Sequence, residues 1–597
     1  MLRSKIQFVN GSPVVNIDGK NYPPMAYTTY FDECGQWSDF IKSGYRMFFV
    51  NVSFTDLPIN NFTGFTPFLT GVFEKEAPDY SAFDAIVNGI LSECPDAFIF
   101  PRVNIAMPRK WIAQHPYETV ETPTGARESM YSDLFREDGA ALLEILVSHI
   151  RNSSYADNIA GYQLCGGITQ EWMHHDLFGS YSEMGNEKFR QWAKEKYGID
   201  NIKAPQKEDF DNKHTDEIRL YYEFCNEKNA DTVEYFACRM KEFINNEQLV
   251  GVFYGYNCFV NAPLYGLHSL GSIIDSPYID FFSSPCCYDG NRGPGLDWGD
   301  MLPVDSVKLH GKLYFVECDI RTHLTKRMQD SRPGKYPDGI YNLFDDNGNK
   351  TVWCGPDNTA LSISSVEKAF LHQLSKSSGI WWFDMWGGWY HDEKIMSELH
   401  NMYKVCEEET YNGDGILPPA EVVLFIDEKA YSNIKRGSHL MNTVNNIRVA
   451  MGNTGIPFDT YMAEDAPSVI KNYRAAIFTA PYPSEAGKNA LRLCKELDIL
   501  CIESDEIMHS YSTEELREIL SFAGVHCYNH DSCVIYRSKN IIGIHKTTEE
   551  ETKIYLPGKY RIRPLFSETA EAEETDVINV DIPLYMTTAY EISPCAK

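Results

Sequence analysis

Eight short apolar runs of β character, interleaved with helical patterns, occupy the chain from Pro23 to Asn412 and constrain its fold more than any other feature. The runs are Met25–Thr29, Arg46–Val52, Ala97–Asn104, Ile159–Cys165, Leu249–Tyr254, Ile279–Ser283, Leu313–Val316 and Gly379–Phe383. Between them, Tyr80–Cys94, Glu137–Ile150, Thr215–Asn246, Val366–Ser377 and Lys394–Glu408 place apolar residues at three- and four-residue steps, as one face of a helix requires. Strands that read as apolar throughout are buried on both faces, and eight such βα units predict a closed (β/α)8 barrel. Ser180–His214 and Gly290–Val304 interrupt the pattern and are expected as excursions on the barrel rim. Ahead of the barrel, Lys5–Tyr22 alternates around Asn10-Gly11 and Asp18-Gly19 and predicts a hairpin capping one end.

The texture changes at Leu417-Pro-Pro419. Val422–Ile426, Ala475–Thr479 and Ile499–Ile502 predict strands, with helices at Ser438–Met451, Ser484–Asp498 and Thr513–Phe522, a smaller open α/β layer. Alternation returns in the last fifty or so residues, at Lys553–Tyr555, Tyr560–Pro564, Val577–Asp581 and Ala589–Ile592. The expected units are 1–415, hairpin plus barrel; 416–540, α/β; and 541–597, a small antiparallel β unit. A formal charge of −30 spread along 597 residues argues against nucleic-acid partners and favours neutral ligands. Sixteen scattered cysteines without a CxxC pair read as reduced thiols of a cytoplasmic protein, not as a zinc site. No leader-like segment and no apolar run of membrane-spanning length is present, so neither export nor a membrane is expected.

Two strand ends deliver carboxylic acids. The fourth run leads through Gly166-Gly167 to Glu171-Trp172, and the seventh ends in Glu317, followed by Asp319, Arg321 and His323. A pair of glutamates brought together by a barrel is the equipment of a glycosidase: one protonates the glycosidic oxygen, the other attacks the anomeric carbon. Glu171 suits the acid/base, with Trp172 and the apolar strand supplying the desolvation that keeps a carboxyl protonated near neutral pH. Glu317 suits the nucleophile; alone it would read better as an ion-pair partner of Arg321 or His323.

Sugar contacts are expected around the pair, from Gln170, Trp172, Arg321 and His323 beside the two glutamates and from the residues at the other strand ends. The eighth run continues into Asp384, Trp386, Gly387, Gly388 and Trp389, and the two indoles can stack on a sugar ring, whereas Trp381 and Trp382 read as core. Arg102 and Asn104 end the third run. Tyr256, Asn257 and Tyr288 follow the fifth and sixth, where a tyrosine can reach sugar hydroxyls or the nucleophile carboxylate. His174-His175 and Cys286-Cys287 lack the further ligands that a metal site needs, so no metal or other cofactor is expected.

On the motifs GITQEW, FVECDIRTH and WWFDMWGGWY, the chain resembles the clan A retaining glycoside hydrolases. Its whole plan is similar to family 42, the β-galactosidases with a flavodoxin-like trimerisation domain and a small C-terminal β domain, and to the related family 164 β-mannosidases. The resemblance implies that Glu171 is the acid/base and Glu317 the nucleophile, and that 416–540 assembles a homotrimer. Gln170 departs from the pattern: the clan usually carries Asn there, contacting the sugar 2-hydroxyl, so the configuration at C2 stays open between galactose and mannose.

The leading expectation is an exo-acting retaining β-glycosidase that hydrolyses terminal non-reducing sugars of oligosaccharides, β-galactosides first and β-mannosides second. A metal-dependent barrel hydrolase would end its first strand in His-x-His, where this chain has Ala26-Tyr-Thr-Thr-Tyr30. An amidotransferase would flank Cys501 with glycines, which are absent. A non-catalytic carbohydrate-binding barrel predicts binding without turnover.

Overall fold

The computed structural model describes residues 2–175, 182–212, 214–258, 263–288, 292–435, 443–503, 511–566 and 573–595. Its centre is a closed barrel of eight parallel strands: Met25–Thr28, Met47–Ser53, Phe98–Asn104, Gly161–Cys165, Leu249–Val252, Phe281–Pro285, Leu313–Cys318 and Gly379–Phe383. The ring closes where Gly161 pairs with Leu249 on one side and Ile380 pairs with Met25 on the other. Every expected run is a strand in this ring.

Aromatic side chains fill the barrel. Phe49 stacks on Phe100 at 4.8 Å, and Phe281, Phe315 and Trp381 meet Phe49 edge-on. Below this layer the predicted hairpin is a three-stranded sheet, Ser4–Val9, Ser12–Ile17 and Lys20–Tyr22, whose Val15 and Ile17 join the same apolar cluster. Ser4 fixes it to the fifth strand by accepting from the Leu249 N–H at 2.9 Å. The lower end is thus plugged, and chemistry is confined to the carboxyl ends of the strands.

The outer helices include Ser81–Glu93, Asp133–Arg151, Asp216–Phe243, Thr359–Lys376 and Glu393–Asn412. Thr359–Lys376 begins seven residues before the expected start at Val366, because its first two turns, Thr-Ala-Leu-Ser-Ile-Ser-Ser, are rich in hydroxyl residues and are started by the Asn358 side chain, which accepts from the Leu361 N–H. The excursion 182–212 carries the helix Glu183–Tyr197, whose Phe189 and Trp192 share an apolar cluster with Tyr221 of the outer helix Asp216–Phe243. Its expected start, Ser180, lies outside the described residues, as does Gly290 of the second excursion.

The α/β unit is a parallel four-stranded sheet in the order Phe458–Met462, Val422–Ile426, Ala475–Phe478, Leu500–Glu503. Phe458–Met462 escaped the sequence reading because Phe-Asp-Thr-Tyr-Met alternates in polarity and is half-buried. This edge strand lies against the barrel, where the N–H groups of Thr460 and Met462 donate to Asp305 and Ser306. The flanking helices are Thr443–Gly452, Glu485–Glu496 and Thr513–Phe522; the expected start of the first, Ser438, lies outside the described residues. A five-stranded antiparallel sheet follows, in the order Val534–Arg537, Ile541–His545, Thr587–Pro594, Thr552–Pro564, Glu573–Val580. Among the described residues no helix is long and apolar enough to cross a membrane.

Candidate active site

The fourth strand ends at Cys165 and turns back on itself so tightly that the Trp172 N–H donates to the Gly166 carbonyl at 2.7 Å and Ile168 pairs with Met173. Thr169, Gln170 and Trp172 all adopt positive φ, of 56°, 71° and 58°. Three non-glycine residues in that region within four positions store strain of about 1–3 kcal/mol each, a pattern that gathers at functional sites. The turn aims Glu171 inward at 8 % exposure. Tyr256, itself at φ 77°, donates its hydroxyl to Glu171 Oε1 at 2.6 Å, and the Thr169 hydroxyl is in short contact with Oε2. Burial pushes the Glu171 carboxyl up to about 7, where half of it is protonated at neutral pH.

Glu317 stands in the seventh strand, paired in register with Trp381 of the eighth and Pro285 of the sixth. It is 3 % exposed, and its Oε2 carries no hydrogen bond. Burial raises its carboxyl well above the usual range; Arg102 opposes this, and Asp319 and Glu171 add to it. The Arg102 guanidinium lies 3.8 Å from Glu317 and rests on the barrel's aromatic layer, 4.7 Å from the Trp381 ring and 5.0 Å from that of Phe253. Its three nitrogens, both amide atoms of Gln170 and Oδ1 of Asn104 are buried without hydrogen bonds. Such groups are costly in an apolar interior unless water or a ligand satisfies them.

Asp319 holds the far side. Arg292, Arg321 and the Tyr288 hydroxyl all bond its carboxylate, which stays ionised despite complete burial because the two guanidiniums outweigh desolvation. Tyr288 and Arg321 are thereby committed to Asp319, and neither Tyr288 nor Tyr256 donates to Glu317. Arg321 is also sandwiched between Trp353 and Trp389, 4.5 and 5.3 Å from their rings, and its Nε remains unpaired.

The remaining predicted residues separate into two groups. Trp386 belongs to an aromatic wall with Tyr30, Phe65, Tyr341 and Trp353, and Trp389 meets it edge-on. Trp172 instead turns its back on the mouth: its indole donates to the Leu164 carbonyl and stacks on Phe236 of an outer helix. Asp384 accepts from the N–H groups of Gly388 and Trp389 and from the Tyr27 hydroxyl, which makes it the clamp of the turn that presents Trp386. His323 binds Ser362 and Thr359 at the start of an outer helix, away from the pair. Asn257 reaches Glu428 of the α/β unit. His175 is held by Glu128 and His174 by the Cys225 carbonyl; among the described residues no three metal-ligating side chains converge.

Sequence reasoning missed Thr169, Tyr30, Tyr341 and Trp353. Tyr341 and Trp353 arrive on the long connection 319–358, which has no periodicity to announce it. Tyr30 follows the first strand, where its ring lies beside Arg102 and its hydroxyl donates to the Thr169 carbonyl.

The fold defines the class first: a (β/α)8 barrel with an appended parallel α/β layer and a terminal β sheet. Within that class, the chain has the whole-molecule fold of family 42 glycoside hydrolases. A β-galactosidase from Rahnella sp. R3 matches with a TM-score of 0.63 at 10 % identity, over 98 % of this chain and 100 % of that one. A family 42 β-galactosidase from G. stearothermophilus matches at 0.61 and 10 %, over 95 % and 98 %. A family 42 exo-carrageenase from Bacteroides ovatus matches at 0.59 and 12 %, over 99 % and 86 %. No protein-family model and no curated protein matches the sequence. The resemblance read from the motifs is thus borne out at the level of the fold.

Proposed function

We propose that the protein is an exo-acting retaining β-glycosidase, with Glu171 as acid/base and Glu317 as nucleophile, cleaving terminal β-galactosides by double displacement. The observation that carries this reading is the burial of two carboxyls that act on one another, Glu317 in the seventh strand and Glu171 in the turn after the fourth, with Arg102 3.8 Å from Glu317 and buried polar atoms of Arg102, Asn104 and Gln170 that lack partners. In the first step Glu317 attacks the anomeric carbon while Glu171 protonates the departing oxygen; in the second, Glu171 deprotonates the water that releases the sugar. Arg102 favours the charge of Glu317, and burial favours the proton on Glu171. The aromatic wall of Trp386, Tyr341 and Trp353 offers a stacking surface for the ring.

The β-galactosidases among the similar structures support galactose. Gln170 favours β-mannoside as the second reading, since its longer amide reaches differently toward an axial 2-hydroxyl. Sixteen free cysteines support a reducing, cytoplasmic setting, and the α/β unit 416–540 supports a homotrimer, for which a monomer in sedimentation would be the contrary result. Hydrolysis of a panel of p-nitrophenyl glycosides (β-galactoside, β-mannoside, β-glucoside, β-glucuronide, α-arabinoside) tests the reading. Turnover of one sugar with retention at the anomeric carbon, abolished in Glu317→Ala, is expected. Unimpaired turnover in both Glu317→Ala and Glu171→Ala would refute the assignment, and binding without turnover would leave a carbohydrate-binding barrel.

A further inference from the structure

We propose that Thr169 is a positioning residue of the acid/base: its hydroxyl oxygen accepts a hydrogen bond from the protonated Oε2 of Glu171 while donating its own hydrogen to the Ile168 carbonyl. The proposal rests on the reading of Glu171 as the acid. The Thr169 hydroxyl lies 2.7 Å from the Ile168 carbonyl oxygen and in short contact with Glu171 Oε2. A carbonyl can only accept, and a hydroxyl has one hydrogen to give. A single hydrogen shared between the two acceptors leaves both bonds weak, whereas a hydrogen from the carboxyl, on Oε2, completes both.

The opposite oxygen agrees. Tyr256 is buried, its phenol is raised well above its ordinary value by burial, and so it stays a donor to Oε1. Oε1 then behaves as the C=O of a carboxylic acid and Oε2 as its O–H. Backbone strain gives a separate reason to look for a task at this position. A β-branched residue at φ 56° is a rare occupant where glycine or asparagine would sit at less cost. Thr169 is pinned there by its own N–H, which donates to the Ile59 carbonyl at 2.7 Å, and by the Tyr30 hydroxyl on its carbonyl. Thr169 touches no reacting atom; it acts through Glu171.

The test is the alkaline limb of kcat/KM on an unactivated alkyl glycoside, whose leaving group needs the acid, measured for wild type, Thr169→Val and Thr169→Ser. Removing the acceptor in Thr169→Val destabilises the protonated acid, so the limb should move down by about one pH unit. Thr169→Ser keeps the hydroxyl and should restore the wild-type limb. An upward shift in Thr169→Val, which a hydroxyl donating to the carboxylate produces, or no shift, overturns the proposal. Thr169→Ala gives the same readout should the valine variant not fold, and thermal melting verifies both. If the limb persists in Glu171→Gln on an activated aryl glycoside, it is the acid role of Glu171 that fails and not that of Thr169.

Discussion

Glu171 is raised to about 7 because burial strips its carboxylate of water, and the same shift acts on the fold. The folded state binds this proton more tightly than the unfolded chain, whose carboxyl titrates near its ordinary 4.5. Below that value the group costs nothing; between about 4.5 and 7 the cost grows, and above 7 it is constant. At about 1.4 kcal/mol per pH unit, the cost at pH 8 is at most about 3.5 kcal/mol. Glu171→Gln, which keeps the shape and removes the charge, should therefore raise stability in urea denaturation at pH 8 by 1–3 kcal/mol, as an order of magnitude, and change it little at pH 4. Equal effects at both pH values would contradict a buried, raised carboxyl. Catalytic sign follows from the same proton: as the acid, Glu171 should lose function as pH rises through about 7.

At the scale of elements, the strands were legible because burial on both faces leaves a composition signal that no loop shares. Glu317 was legible with them, standing inside such a run. Glu171 needed the Gly166-Gly167 turn to be noticed. What stayed hidden were contacts between segments: Trp172 beside the acid packs outward, while Tyr341 and Trp353, remote in sequence, close the wall. The connection 319–358 carries both and is strapped to the first barrel loop by Arg332, which makes a two-pronged ion pair with Glu33 at 2.6 and 2.9 Å and stacks on Phe31 at 3.6 Å. It also donates to the Pro67 carbonyl and the Tyr336 hydroxyl. Cutting this strap should loosen the wall without touching the carboxyls. Arg332→Met, which keeps much of the stem, is expected to raise KM several-fold with kcat within about threefold, and to speed amide exchange over 336–353. A change in kcat alone would place Arg332 in the chemistry instead.

The barrel, the α/β unit and the terminal sheet meet around His372, on the helix Thr359–Lys376. Its ring lies between Asp297, at 3.4 Å, and Asp300, at 3.1 Å; Gln373 donates to Asp300, and Tyr536 of the terminal sheet meets the ring edge-on. Lys368 and Arg448 also act on Asp297. Burial alone would lower the imidazole, but the two aspartates outweigh it and raise His372 to about 9. Asp297 and Asp300 belong to the same excursion as Arg292, which bonds Asp319, so the charged imidazole ties the junction of three units to the cage around Asp319. Because the folded value lies above the ordinary 6.5, the stabilisation is complete below 6.5 and fades as pH rises through about 9. At ~1.4 kcal/mol per unit it amounts to about 3 kcal/mol at neutral pH and below. His372→Gln should accordingly unfold at lower urea than wild type at pH 6, the gap shrinking steadily toward pH 10. A gap independent of pH would mean that the ring contributes packing only, and that charge does not hold the three units together.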